Sequence, residues 1–266
     1  MTKHSAAEHS AAEHSAAEHP AARHPGGPHP GAQRTGARHA GLVIAVDGPA
    51  GSGKSTAARG VARVLGLRYL DTGSTYRALT WWLLARGTDI SDPDAVAASA
   101  AVAVIEVGTD PDSPSICVDG RDVAGLIRSR EVSNAVSAVA SIPAVRRRLV
   151  AMQQRAIADA LAAGAGIVAE GRDIGTVVAP DAPVKVFLTA SETARARRRT
   201  ADLAADPGVT VAVTQAEQAR RDRSDARQMT RAADAVEIDT TSLGLPEVVR
   251  EVASLADAKK AGAWIT

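Results

Sequence analysis

Nine residues, GPAGSGKST at 48–56, follow the apolar run LVIAV at 42–46 and leave the chain few folds to choose from. Three glycines within six residues let the backbone turn tightly and aim its N–H groups inward at an anion. The pattern works only where a buried strand leads in and a helix leads out, because the helix N-terminus adds its positive dipole to the cradle. Gly48, Pro49, Ala50, Gly51, Ser52, Gly53, Lys54, Ser55 and Thr56 are therefore the candidate residues for holding a nucleoside triphosphate. Lys54 is expected to reach the terminal phosphates and the Ser55 hydroxyl to help hold Mg2+.

The rest of the chain supplies that setting. A helix is predicted from about Lys54 to Leu65, with Val61, Val64 and Leu65 able to pack on a sheet. Apolar runs recur at 67–70, 166–169, 184–188 and 235–238, separated by sequence of helical character. Buried strands joined by helices imply a parallel sheet covered on both faces. Residues about 92–128 break the rhythm with AVAVIEV, a Pro/Asp turn and SICVDGRDV, in which Asp119-Gly120 is a good hairpin turn. They read as a strand-containing insertion, followed by a helix at 131–141 and a longer one from about Pro143.

Composition narrows the chemistry. All seven histidines (His4, His9, His14, His19, His24, His29, His39) precede residue 40, so the body has no His base and no His metal ligand. One cysteine, Cys117, excludes an internal disulfide or a multi-cysteine metal cage. A net charge of +1 and few aromatics argue against a nucleic-acid surface, and no apolar run is long enough to span a bilayer. The first forty residues, built on the repeat SAAEH, have no apolar stripe to bury and read as a disordered tail. What remains for catalysis is Lys54, carboxylates, a bound cation and arginines in polar, turn-like settings: Arg77 in DTGSTYR, Arg172 in EGRD, Arg221 and Arg227 in RRDRSDAR. Phosphoryl transfer between two anions needs such fixed positive charge, and the guanidinium fork matches phosphate geometry.

Taken in order, VIAVDGPAGSGKST, YLDTGSTYRA, DVAGLIRSREVSNAVSAVASIPAVR, IVAEGRDIGTVVAPDAPVKVFL, an RD-x-x-D segment and AADAVEIDTT resemble the bacterial cytidylate kinases over roughly residues 42–256. The resemblance implies an α/β fold: a P-loop nucleoside-monophosphate-kinase-like parallel sheet flanked by helices, with the insertion and a helical lid. It implies transfer of the γ-phosphoryl of ATP to CMP, and to dCMP, with Mg2+. It places the acceptor phosphate on Arg77, Arg172 and Arg227, the cytosine on Thr72, Arg146 and Asp173, and the sugar on Ser137, Arg221 and Asp225, with Tyr76 also among the substrate-binding residues. Arg128 also matches a family arginine. An acceptor such as Asp173 beside a donor such as Arg146 suits cytosine and opposes uracil. Arg221 and Asp225, four apart, share one helix face, which also describes a plain helical salt bridge.

The expected organisation is a tail at 1–40, a kinase domain at 41–258 with the insertion at about 92–128 and the lid at about 194–231, and a C-terminal tail at 259–266. A cytoplasmic monomer without nucleic-acid or membrane partners is expected. The segment after RD-x-x-D is about three residues shorter than the family pattern, which leaves Arg231 and Arg223 as alternatives to Arg227. The run ARARRRT at 194–200 fits ATP contacts, the lining of a closing lid or a solvated basic face. Two rivals stay open: a P-loop kinase for another small acceptor, and a nucleotide-dependent regulatory or RNA-binding protein.

Overall fold

The computed structural model describes residues 39–202, 210–226 and 228–262. Its core is a five-stranded parallel sheet, with β1 (Val43–Asp47) at the centre. β6 (Ile167–Glu170) and then β2 (Arg68–Asp71) lie on one side, β7 (Val184–Thr189) and β8 (Val236–Asp239) on the other. Every β1 residue is buried, as a strand covered on both faces requires. α1 (Lys54–Leu65) covers one face with Ala57, Ala58, Val61, Ala62 and Leu65, against α8 (Leu245–Lys260). Gly60 permits this approach, because a Cβ there would meet Val249 at 2.6 Å. Val64, expected to pack, is instead 56% exposed.

The insertion has its own core. α2 (Thr72–Ala85) and α3 (Pro93–Val102) pack with an antiparallel sheet of β3 (Ile105–Val107), β4 (Ile116–Val118) and β5 (Arg121–Asp122). The Asp119-Gly120 hairpin forms as the sequence predicts, with Asp119 at φ 50° and Gly120 at φ 75°. AVAVIEV differs from its expected extended form: its first residues finish α3, and only Ile105–Val107 pair as a strand. Asp92 caps α3 by accepting from Asp94 N and Ala95 N, and Pro93 opens it, so the cap outweighs the β-branched residues. α4 (Arg130–Ser141) and α5 (Pro143–Ala162) lead back to the sheet. α6 (Glu192–Asp202) and α7 (Val211–Asp225) occupy the region where a lid is expected. No helix among the described residues is long and apolar enough to cross a membrane.

Two long-range contacts tie the ends of this fold together. His39, which the sequence assigns to the tail, is buried, and its Nε2 lies 3.1 Å from Asp257 Oδ1 on α8. Its carbonyl accepts from Leu42 N, so the packed body begins at least as early as residue 39. Asp47, at the end of β1, accepts from Ile174 N and Gly175 N at 2.8 Å each. That pair fixes a single π-helical turn, Ile174–Val178, beside the root of the P-loop.

Two outcomes are expected in urea unfolding. Asp47→Asn turns an NH2 group toward one of the two amides and is expected to cost about 1–3 kcal/mol. A chain starting at Ala40 is expected to be about 1 kcal/mol less stable than one starting at His39; equal midpoints would show that the His39 contact contributes nothing.

Candidate active site

The P-loop geometry is enforced by close approach. Gly48, Gly51 and Gly53 all have positive φ, and a Cβ on Gly48 would stand 2.1 Å from Leu188 O. Gly53 caps α1 without a side-chain partner, which leaves the first amides of the helix available to an anion. Lys54 lies across the loop, its Nζ donating to Pro49 O at 2.7 Å. Burial, and then the Arg172 guanidinium, push the ammonium pKa down; an incoming phosphate supplies the missing negative charge. Ser52 is braced at its carbonyl by the Thr240 hydroxyl at 2.9 Å.

A carboxylate the sequence reading missed stands beside this loop. Glu170, at the end of β6, is buried; it accepts from the Tyr69 hydroxyl at 2.6 Å, and the Ser55 side chain is in hydrogen-bonding reach. Burial and neighbouring Asp71 raise its pKa, so a cation placed there would relieve a real electrostatic cost. The described residues hold no cluster of three or more His, Cys, Asp or Glu able to cage a metal. The donors present, one hydroxyl and one carboxylate, fit Mg2+ held mainly by water and phosphate oxygens. The signal for Glu170 was its place at the carboxyl end of a strand next to the P-loop strand, legible only once the strand order is known.

Facing the loop, arginines gather from four elements. Arg77 on α2 donates to Ile127 O at 3.2 Å and Ser133 Oγ at 3.0 Å; burial and then Arg221 and Arg199 lower its pKa to about 9. Arg221 on α7 falls to about 10 through burial and then Arg172, and its Nε is buried without a protein partner. Arg172 donates to Gly48 O at 3.0 Å and to Asp225 Oδ2 at 3.4 Å. Arg199 on α6, not singled out by the sequence, lines one small cavity with Arg221 and Ser133. Both lowered pKa values stay well above neutrality, so the cluster keeps its charge and presents an anion with several donors at once.

A second polar group lies around Asp173, one residue beyond Arg172 in the chain. Arg146, in the first turn of α5, is paired with Asp173, and Tyr76 has a buried hydroxyl without a protein partner. Burial raises the Tyr76 pKa to about 12, so it stays a phenol able to donate or accept. Thr72 gives its hydroxyl hydrogen to Glu170 O at 2.7 Å, which leaves it an acceptor only. Ser137 on α4 donates to Asp225 Oδ1 at 2.9 Å. Arg221 and Asp225 both lie on α7, yet the Asp225 contacts run to Ser137 and Arg172.

The α6–α7 region touches both halves. Arg195 donates to Ala50 O at 3.2 Å and Asp222 at 2.6 Å, and Arg198 binds Thr240. Half of ARARRRT therefore faces the P-loop side, while Arg197 is exposed. Across the cleft Glu217 pairs with Arg130 at 2.6 Å, and Arg220 donates to Asn134 at 3.2 Å. Arg227 lies outside the described residues. Its alternatives point elsewhere: Arg231 pairs with Glu237 at 2.8 Å, and Arg223 is exposed.

Comparison with known proteins gives the family of the chain. The model of the family described as "Cytidylate kinase" matches residues 44–258. A cytidylate kinase of Streptomyces coelicolor is 50% identical over 225 residues, covering 83% of this chain and 95% of that protein. The cytidylate kinase of Streptomyces griseus is 47% identical over 226 residues, with 84% and 95% covered. That of Mycobacterium avium is 46% identical over 222 residues, with 81% and 95% covered. Among solved structures, a shikimate kinase from Acinetobacter baumannii in complex with shikimate matches at TM-score 0.41 and 14% identity, over 86% of this chain and 98% of that one.

The crowded guanidiniums predict a trade between stability and binding. Arg221→Met removes one member of a mutually repelling buried set and is expected to be neutral or stabilising by up to ~1 kcal/mol. It should lose most of the rise in thermal midpoint that pyrophosphate gives the unaltered protein, which differential scanning calorimetry can measure. A destabilised variant that still responds fully to pyrophosphate would contradict this reading of the cluster.

Proposed function

Since the chain belongs to the cytidylate kinase family, we propose that it transfers the γ-phosphoryl group of ATP to CMP, and to dCMP, releasing ADP and the cytidine diphosphate. The observation that carries this reading is the pairing of Arg146 with Asp173 beside the unpartnered Tyr76 hydroxyl, one residue along the chain from Arg172 of the arginine cluster. Cytosine offers an amine that donates and a ring nitrogen that accepts. Asp173 and the acceptor-only Thr72 suit the amine, and Arg146 suits the ring acceptors. Uracil reverses these polarities and would leave buried groups unpaired.

The reaction then needs alignment more than proton transfer. The attacking atom is a phosphate oxygen that is already anionic, which fits a site without histidine. The P-loop amides and Lys54 hold the donor phosphates, Arg77 and Arg172 hold the acceptor phosphate, and Arg221, which the resemblance gives to the sugar with Ser137 and Asp225, joins them because its guanidinium lies in the same cluster. Arg172 reaches Gly48 O on one side and Asp225 on the other, so it sits between the donor loop and the acceptor and can follow charge as it moves. Arg199 joins this set from α6. Mg2+, held by Ser55 with Glu170 nearby, would neutralise negative charge on the phosphates. Closure of α6 and α7 excludes water that would otherwise intercept the phosphoryl group. A cytoplasmic, monomeric enzyme that acts on free nucleotides is the matching biological setting.

ADP formation from ATP and Mg2+, measured separately with CMP, dCMP, UMP, AMP, GMP and no acceptor, tests the assignment. CMP and dCMP are expected to stimulate turnover well above the others; stimulation by a purine nucleotide alone, or by none, would overturn it. Arg77→Met is expected to lower kcat/KM for CMP by about 10²–10³-fold while leaving the KM for ATP little changed. Lys54→Ala is expected to lower turnover to a similar degree while weakening ATP binding.

A further inference from the structure

Gln228 lies in the turn after α7, three residues beyond Asp225, and its amide nitrogen donates to Asp225 O at 2.9 Å. Its side chain leaves the lid and enters the base pocket. Oε1 accepts from Arg146 Nη1 at 3.1 Å, and Nε2 donates to Ala140 O at 3.4 Å near the end of α4. The carboxamide orientation is fixed by its neighbours, since a guanidinium only donates and a carbonyl only accepts.

Arg146 is thereby held from two directions. Asp173, which follows β6 beside the central strand, takes one end of its fork, and Gln228, on the turn after α7, takes another. Asp173 belongs to the rigid body of the protein. Gln228 belongs to an element joined to the acceptor side by a few polar contacts: Ser137 with Asp225, Arg130 with Glu217 and Asn134 with Arg220. When the lid swings away, Arg146 loses one of its two acceptors and with it the restraint on the guanidinium plane. An unrestrained arginine can turn its donors from cytosine N3 to uracil O4; a clamped one cannot.

We infer that Gln228 is a positioning residue for base selection: it clamps Arg146 from the lid side, so that the pocket discriminates cytosine from uracil fully only when the lid is closed. The inference rests on the reading of this pocket as the CMP site. It makes specificity a property of the closed state, in which the acceptor base, the lid and the donor loop are brought together in one step.

The test is kcat/KM for CMP and for UMP in the unaltered protein, Gln228→Met and Gln228→Glu, with the KM for ATP and the thermal midpoint as controls on folding and on the donor site. Gln228→Met keeps the length of the side chain and removes the acceptor. It is expected to raise the KM for CMP and to lower the CMP-to-UMP ratio of kcat/KM, each about tenfold, the size of a lost hydrogen bond to a charged group. ATP binding should not change. Gln228→Glu keeps an oxygen facing Arg146 and is expected to retain the ratio. Equal losses for CMP and UMP in the methionine variant, or no loss at all, would overturn the inference, as would a glutamate variant that discriminates as poorly as the methionine one. An unaltered protein that CMP does not stimulate would overturn the CMP reading and this inference with it; an active one whose ratio ignores residue 228 overturns the inference alone.

Discussion

A single buried carboxylate sets the working end of the sheet. Asp47 ends the central strand, and each of its oxygens accepts one main-chain amide from the turn that follows β6. Burial disfavours its charge and the two amides favour it, so the group is tolerable only while both hydrogen bonds are made. The same contact holds Arg172 and Asp173, immediately before that turn, at a fixed height above the P-loop that begins one residue after Asp47. Gly48 completes the constraint, because the chain passes too close to Leu188 for any side chain.

Charge organises what is built on this base. Burial, and then the closeness of guanidiniums from α2, α6, α7 and the EGRD turn, depresses the pKa of Arg77 and Arg221. Such a cluster is unfavourable in isolation and becomes favourable around a bound phosphate, which is the electrostatic signature of a site complementary to its ligand more than to itself. On the loop side the balance is reversed: Glu170 and Asp71 are acidic groups in a buried setting that suits a cation. The phosphates of the two nucleotides would lie between these opposed fields.

The two lid helices have different tasks. α6 leans on the donor side, through Arg195 to the P-loop and Arg198 to Thr240. α7 and the turn after it reach the acceptor side, where Asp225 meets Ser137 and Gln228 meets Arg146. The two helices thus bridge the P-loop on one side and the α4–α5 segment on the other. The shorter segment after RD-x-x-D, read from sequence as leaving open which arginine near Asp225 serves, sets the Gln228 carboxamide against Arg146.

The sequence by itself determined the P-loop, the helix after it and most of the central strands. The limits of α1, the hairpin at Asp119-Gly120 and the buried strands all followed from local chemistry, since glycine placement, capping and apolar spacing are written in contiguous residues. Family resemblance then nominated most of the residues that line the cleft, by type and position. Only the tertiary structure decided their partners. Glu170 comes beside Ser55 because β6 lies next to β1; Arg146 meets Gln228 across 82 positions of chain; His39 reaches Asp257 across 218. These meetings depend on strand order and on how helices cross, and no local pattern encodes a distance between residues that the sheet alone brings together.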